Sequence, residues 1–265
     1  MNLLVCKPSS LSPLPAPGAE PPFTLNSGTV RVFREADWAS NRYELTTDHW
    51  PAAIRHDLAD HRRDRRTAWI AFNLPVGRVM TLTRHHCDVE NGHRVCDLRG
   101  VAQVADLIGT GRTEAVDLAQ IDMRNAMSSF FWRDVDLKQG AIELYGEADF
   151  NGNRTVLFLS EWKRGTLHNL ADWVIEDRLG SIRWNTLPDA LYCDLFQHSD
   201  GIGKHYPRMS GWNSGPKECP DTSKYSFHDM VSAFRWDAVI TDLPMTSPSS
   251  MDILFDPENT TQTFA

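Results

Sequence analysis

Asp177-Arg178-Leu179-Gly180-Ser181-Ile182-Arg183-Trp184 is one of four versions of a single phrase in this chain. The others are Asp64-Arg65-Arg66-Thr67-Ala68-Trp69-Ile70-Ala71, Asn125-Ala126-Met127-Ser128-Ser129-Phe130-Phe131-Trp132 and Asp229-Met230-Val231-Ser232-Ala233-Phe234-Arg235-Trp236. Each sets Asp or Asn first, a small residue three positions on, a second small residue, and then a strand-like alternation of bulky apolar side chains. The copies recur at intervals of 61, 52 and 52 residues. That period is too long for most solenoids and fits four modules of four strands each.

A second signal opens each module. Tyr145-Gly-Glu-Ala-Asp-Phe150-Asn-Gly152 places two aromatics five apart with a glycine two further on. Phe196 to Gly203 echoes it through Gly201, and Phe33 to Ser40 keeps both aromatics, Phe33 and Trp38, with serine in the glycine position. The second opener, near Leu82, has lost both aromatics. A folded-over hairpin explains the spacing: Phe33 with Trp38, Tyr145 with Phe150, and Phe196 pack at a corner, while Gly152 and Gly203 take a positive φ. From opener to phrase the distances are 31, 43, 32 and 33 residues, so the second module carries an insertion, expected as a loop around Val101 to Glu114.

Between the ends the apolar pattern has period two: Val30 and Val32; Val79, Met80 and Leu82; Ile142 and Leu144; Val156 and Phe158; Leu191, Cys193 and Leu195. Such short runs separated by Gly, Asn, Asp and Pro predict half-buried antiparallel strands. Two stretches read as helix, Trp50 to His61, with Pro51 in the first turn, and Val101 to Ile108.

The pattern resembles the βγ-crystallin superfamily, whose Greek key opens with an aromatic, four residues, an aromatic and x-Gly, and closes near two Asn/Asp, two variable residues, Ser/Thr and Ser. The likeness covers roughly residues 28 to 240, and the third motif, with Tyr145, Phe150, Gly152 and Glu176-Asp177-Arg-Leu-Gly180-Ser181, is its most specific part. The resemblance implies an all-β chain of two Greek-key β-sandwich domains. It divides into a Pro-rich arm (1–27), domain 1 (28–136, motifs near 30–74 and 78–133), domain 2 (140–240, motifs near 141–186 and 190–237) and a C-terminal tail (241–265). Length and the Pro-rich lead also resemble a fungal member of the family. The arm, with Pro8, Pro13, Pro15, Pro17, Pro21 and Pro22, reads as extended or flexible. Trp69, Phe130, Phe131, Trp132, Trp184, Phe234 and Trp236 are expected in cores or between domains.

In calcium-binding members the closing stretch supplies oxygen ligands, exchanged between two motifs. Here the first acidic-or-amide position is Arg63, Arg124, Glu176 and His228, and the hydroxyl position is Thr67, Ser128, Gly180 and Ser232. Arginine repels a divalent cation and glycine has no side-chain oxygen. The expectation is a degenerate calcium motif in which these residues cap turns. Weak candidates remain at Asn125 with Ser128 and at Asp229 with Ser232.

The bulk numbers agree with an acidic two-domain protein: 265 residues, 41% hydrophobic and 23% charged, with formal net charge −8. That charge argues against a general nucleic-acid binder, and no apolar stretch reaches membrane-spanning length. An odd set of five cysteines without CxxC spacing suits reduced, buried thiols and an intracellular, cytoplasmic place. His85 and His86, as neighbours on a strand, are expected to point to opposite faces and cannot share one ion unless the chain is bulged; Asp194, His198, Asp200 and His205 read as exposed turn residues. The run from His56 to Arg66 interleaves acids and bases and reads as solvated surface. With no HExxH, GxSxG or phosphate loop, the sequence reads as non-enzymatic, structural or related to stress and development, without cofactor. Alternatives are a weak calcium module and a secreted toxin or antimicrobial relative; protein partners and self-association are open.

Overall fold

A computed structural model describes residues 11–40, 42–58, 66–84, 88–90, 93–95, 104–121, 123–171, 173–212 and 217–238. Among these residues there is no α-helix, only short 3-10 turns between strands. The first sandwich is built from β1 (Thr29–Phe33), β2 (Arg42–Thr46), β3 (His56–Asp57), β4 (Trp69–Asn73), β5 (Arg78–Thr83), β8 (Val104–Ile108), β9 (Glu114–Asp117) and β10 (Ser129–Asp134), with a side hairpin of β6 (Asp88–Glu90) and β7 (His93–Val95). The second uses β11 (Ala141–Tyr145), β12 (Arg154–Phe158), β13 (His168–Asn169), β14 (Ser181–Arg183), β15 (Leu191–Phe196), β16 (Met209–Ser210), β17 (Glu218–Cys219) and β18 (Ala233–Ala238).

Sheet order shows how the modules interlock. The four-stranded sheets run β2-β1-β4-β9 and β3-β10-β5-β8, then β12-β11-β14-β17 and β13-β18-β15-β16. In each sandwich the third strand of one Greek key lies in the sheet of the other, so neither key completes a sheet alone. Period-two alternation turns one face of every strand inward. Val30, Val32, Leu45, Ile70, Leu82, Leu107 and Phe130 meet in the first core; Ile142, Leu144, Leu157, Ile182, Leu195 and Phe234 meet in the second. The repeated phrase ends each key as its fourth strand: β4, β10, β14 and β18.

Three expectations change. Trp50 to His61 is not a helix in its described part: a turn leads into β3, and residues 59–61 lie outside the described residues. The reason is tertiary. Trp50 packs edge-on against Phe130 at 5.3 Å and its carbonyl accepts from Trp132 Nε1 at 2.7 Å. Trp162, Phe234 and Trp236 repeat this in the second sandwich, at 5.0 and 3.1 Å. Val104 to Ile108, expected as helix, is strand β8, paired along its length with β5 because Ala105 and Leu107 face the core. The insertion of the second module lies between β5 and β8, where Thr83 and Val104 are joined through β6 and β7, and not around Val101 to Glu114.

The Pro-rich arm, where described, is docked. Phe23 and Leu25 cover the outer face of the first sheet against Phe33, Trp38 and Ala71, which is why β1 is buried on both faces. Leu11 is buried between the sandwiches with Val79, Val135, Leu137, Ala141, Val156 and Phe158. Arg133 spans the same junction, with Nη2 3.1 Å from Glu161 Oε2 and its guanidinium 5.6 Å from the Phe158 ring.

Candidate functional site

The corners of the Greek keys hold the residues that the sequence singled out. In the third key the Tyr145 and Phe150 rings meet edge-on at 5.6 Å. Ser181 Oγ donates to the Glu147 carbonyl at 2.6 Å and accepts from the Phe150 amide at 2.9 Å, so the last small residue of the phrase bolts the folded hairpin to its own sheet. Gly152 has φ +74° and Gly203 φ +87°. In the first key Phe33 and Trp38 stand 4.9 Å apart, and the Ser40 hydroxyl accepts from the Glu35 amide at 3.3 Å. In the fourth, Phe196 meets the His205 ring at 6.0 Å in place of a second aromatic.

In the three phrases whose first residue is described, the Asp or Asn has a backbone task. Asn125, Asp177 and Asp229 lie in the left-handed region with φ of 53°, 48° and 54°. Most L residues pay roughly 1–2 kcal/mol there, whereas Asn and Asp visit it readily. From these turns the two keys of a sandwich brace each other. The Asn125 amide donates to the Thr67 carbonyl at 2.7 Å, while its Oδ1 accepts from the Thr67 amide at 3.1 Å. Asp177 N donates to the Val231 carbonyl at 3.0 Å, and Asp229 N to the Leu179 carbonyl at 3.1 Å. Ser232 Oγ lies 3.4 Å from Asp177 Oδ1, and Ser128 Oγ donates to the Ala126 carbonyl at 3.3 Å. Asn125 is thus brought to Thr67, and Asp177 to Ser232, across motifs.

Calcium demands about six to eight oxygens, carboxylates among them. The Asp229 corner does not fit: its hydroxyl position is Gly180, where a Cβ would lie 2.3 Å from the Glu147 carbonyl carbon, and the Asp229 carboxylate already holds His228 Nδ1 at 2.8 Å. The Asp177–Ser232 corner fits in part, with a carboxylate and a hydroxyl and with Glu176 preceding. The Asn125–Thr67 corner offers an amide oxygen and Thr67 Oγ1, which is buried without a hydrogen-bond partner. Arg63, Asp64, His85, His86, Cys87 and Cys96 lie outside the described residues. Among the described residues no group of three or more His, Cys, Asp or Glu is placed to hold a metal, and no helix is long and apolar enough to cross a membrane.

Other sequence candidates separate. His198, Asp200 and His205 are exposed, but Asp194, expected in an exposed turn, is buried on β15 and clamped by Arg208 through Nε and Nη2, each at 2.9 Å. Cys193 and Cys219 are buried free thiols. Burial pushes the Cys193 thiol well above its ordinary value. Sequence reasoning missed the Trp-His-Phe-Trp clusters. Trp50 and His56 recur as Trp162 and His168 with the same spacing, and both histidine rings lie tilted against the phenylalanine of the phrase, at 5.2 and 5.1 Å.

No family model and no curated protein sequence matches the chain. Solved βγ-crystallin structures do. Protein S complexed with calcium is 15% identical over 78% of this chain and 98% of its own, with a TM-score of 0.34. A βγ-crystallin from Ciona intestinalis is 18% identical over 36% of this chain and 98% of its own, with a TM-score of 0.27. A βγ-crystallin domain of the abundant perithecial protein from Neurospora crassa, in its calcium-bound form, is 14% identical over 39% and 93%, with a TM-score of 0.27. The likeness is one of fold, and the fold itself rests on the strand order and register above: four Greek keys in two sandwiches.

Proposed function

We propose that this βγ-crystallin-like chain is a non-enzymatic structural protein, acting inside the cell in stress or development, with corners closed by its own hydrogen bonds. The cross-motif bracing of Asn125, Asp177 and Asp229 carries the reading: the backbone amide of each donates to a carbonyl of the neighbouring key, and the Asn125 side-chain oxygen is taken by the Thr67 amide. Two interlocked sandwiches with a formal charge of −8 suit solubility at high concentration. Buried, unpaired Cys193 and Cys219 accord with a reducing compartment.

A weak calcium module is the second reading, favoured by the unpartnered Thr67 hydroxyl and by the Asp177–Ser232 pair. Asn125, Ser128, Asp229 and Ser232 remain its sequence candidates. Melting of chelator-treated protein with and without millimolar calcium separates the two, since a ligand of the native state raises its stability. The structural reading expects no change; a rise lost in Asp177→Asn would establish the module.

A further inference from the structure

Beyond that function, the second sandwich carries charge where a sheet gives no reason to bury it. Glu143 lies mid-strand in β11, on the outer face of its sheet, and is 1% exposed. It accepts from the Tyr145 hydroxyl at 2.9 Å, and its Oε2 stands 3.1 Å from Arg154 Nε. Its remaining partner is in the arm. The Ser12 amide donates to the two carboxylate oxygens at 3.1 and 3.3 Å, and the Ser12 hydroxyl donates to Oε1 at 3.3 Å. Arg154 Nη1 donates to the Ser12 carbonyl at 2.7 Å, and Arg183 Nη1 to the Ser12 hydroxyl at 3.0 Å.

Every polar group of one serine is therefore read by three side chains from three adjacent strands. The flanking residues are read as well. Leu11 fills an apolar slot between the sandwiches, and the Pro15 carbonyl accepts from the Asp117 amide at 2.9 Å. Pro13 and Pro15 hold the segment extended, which lowers the entropy lost on docking. Burying a carboxylate and a guanidinium is costly unless they are paired and hydrogen-bonded; the docked serine donates to the Glu143 carboxylate and accepts from Arg154 Nη1, while Arg154 Nε keeps its ion pair with Glu143 and Nη2 is buried without a hydrogen-bond partner. The adjoining cleft, about 180 Å³, is smaller than ordinary ligand pockets, so the segment and not a small molecule is what the surface fits.

We propose that this groove is a peptide-recognition site for an extended Leu-Ser-Pro-Leu-Pro segment, filled in cis by Leu11–Pro15 and open, when the arm lifts, to the same segment of a second copy of the chain. The second copy is the occupant because it brings the one sequence seen seated there, and because the contacts, main-chain bonds of Ser12 and Pro15, the Ser12 hydroxyl and the Leu11 side chain, transfer without change. Exchange of an identical element is a low-cost route to dimers. The tethered arm competes at an effective concentration in the millimolar range, so trans binding is masked in the resting chain.

The test uses full-length protein and a fluorescent peptide of residues 9–17, followed by anisotropy. Leu11→Asp, which empties the slot in cis, is expected to bind the peptide at least about tenfold more tightly than wild type, and a peptide carrying the same Leu11→Asp change is expected not to bind. Ser12→Pro keeps the leucine, removes the amide and hydroxyl donors, and serves if the first variant melts early. A cooperatively melting variant that ignores the peptide, or equal binding by wild type and variants, overturns the site. Light scattering of concentrated wild type tests the occupant: arm-exchanged dimers, lost in Ser12→Pro, are expected. Peptide binding without dimers refutes the second copy and assigns the groove to a different protein bearing such a segment.

Discussion

Replacing Gly180 by serine supplies the hydroxyl that this position lacks and is expected to damage the protein. A Cβ at this position would lie 2.3, 2.6 and 2.7 Å from the carbonyl carbon, Cα and oxygen of Glu147, all backbone atoms of the folded hairpin. Ordinary contacts need about an ångström more, so the corner must move as a unit. That movement strains Ser181 Oγ, which sits between the Glu147 carbonyl and the Phe150 amide. Overpacking costs about 1–3 kcal/mol, and rigid neighbours put this site near the upper end. At roughly 4 °C or more per kcal/mol for a domain of about a hundred residues, the second sandwich is expected to melt about 10 °C or more below wild type. The assay is thermal melting by near-ultraviolet circular dichroism, with and without millimolar calcium, on Gly180→Ser beside Gly180→Ala. Both variants share the clash, so both are expected to fall together and to ignore calcium. A serine variant as stable as wild type, or one rescued by calcium while the alanine variant is not, refutes the steric account and revives an ion site at Asp229.

Ser181→Ala leaves the Phe150 amide and the Glu147 carbonyl without their shared partner and is expected to cost about 1–3 kcal/mol, read as a lower urea midpoint at unchanged slope; an unmoved midpoint refutes the bolt. Burial raises the Cys193 thiol, so brief alkylation at mildly alkaline pH is expected to spare it in native protein and modify it in denaturant, with peptide mapping as readout. Hydrogen bonds from the Ser223 hydroxyl and amide hold the Asp221 carboxyl below its ordinary value. A depressed carboxyl stabilises the fold above its unfolded value, and that contribution disappears as pH falls through the folded value. The stability gap between wild type and Asp221→Asn is therefore expected to shrink between about pH 6 and about pH 3; a constant gap would rule this out.

What could be read from sequence was whatever the backbone imposes on single residues. Asn125, Asp177 and Asp229 stand at left-handed turns, and Gly152 and Gly203 at positive φ, so composition at those positions carried the signal. Alternation gave the long strands β1, β5, β11 and β15. The two-residue strand His56–Asp57 has no period to detect, and its run from Trp50 imitated a helix start because Pro51 sits well in either. Its true signal was the matching Trp and His spacing in the third module. Val104 to Ile108 could be placed only once β5 was known to be its partner. The arm was opaque for a different reason: its prolines exclude helix, but docking depends on Glu143, Arg154 and Arg183 converging from three strands, a fact of register and not of local pattern.

The same division explains how a corner holds its shape without an ion. Asp or Asn at the start of the phrase satisfies the turn and the neighbouring key whether or not a cation is near, so the fold preserves it. The preceding position is Arg63, Arg124, Glu176 and His228, so only one of the four carries a carboxylate. The hydroxyl position has local work at Ser128 and Ser232, stands without a hydrogen-bond partner at Thr67, and is glycine at Gly180, where the hairpin backbone fills the space. Asp177 has both a hydroxyl partner in Ser232 and Glu176 before it. Any residual affinity for calcium should therefore depend on Asp177 and be indifferent to Asp229, whose carboxylate lies against His228 and faces no hydroxyl.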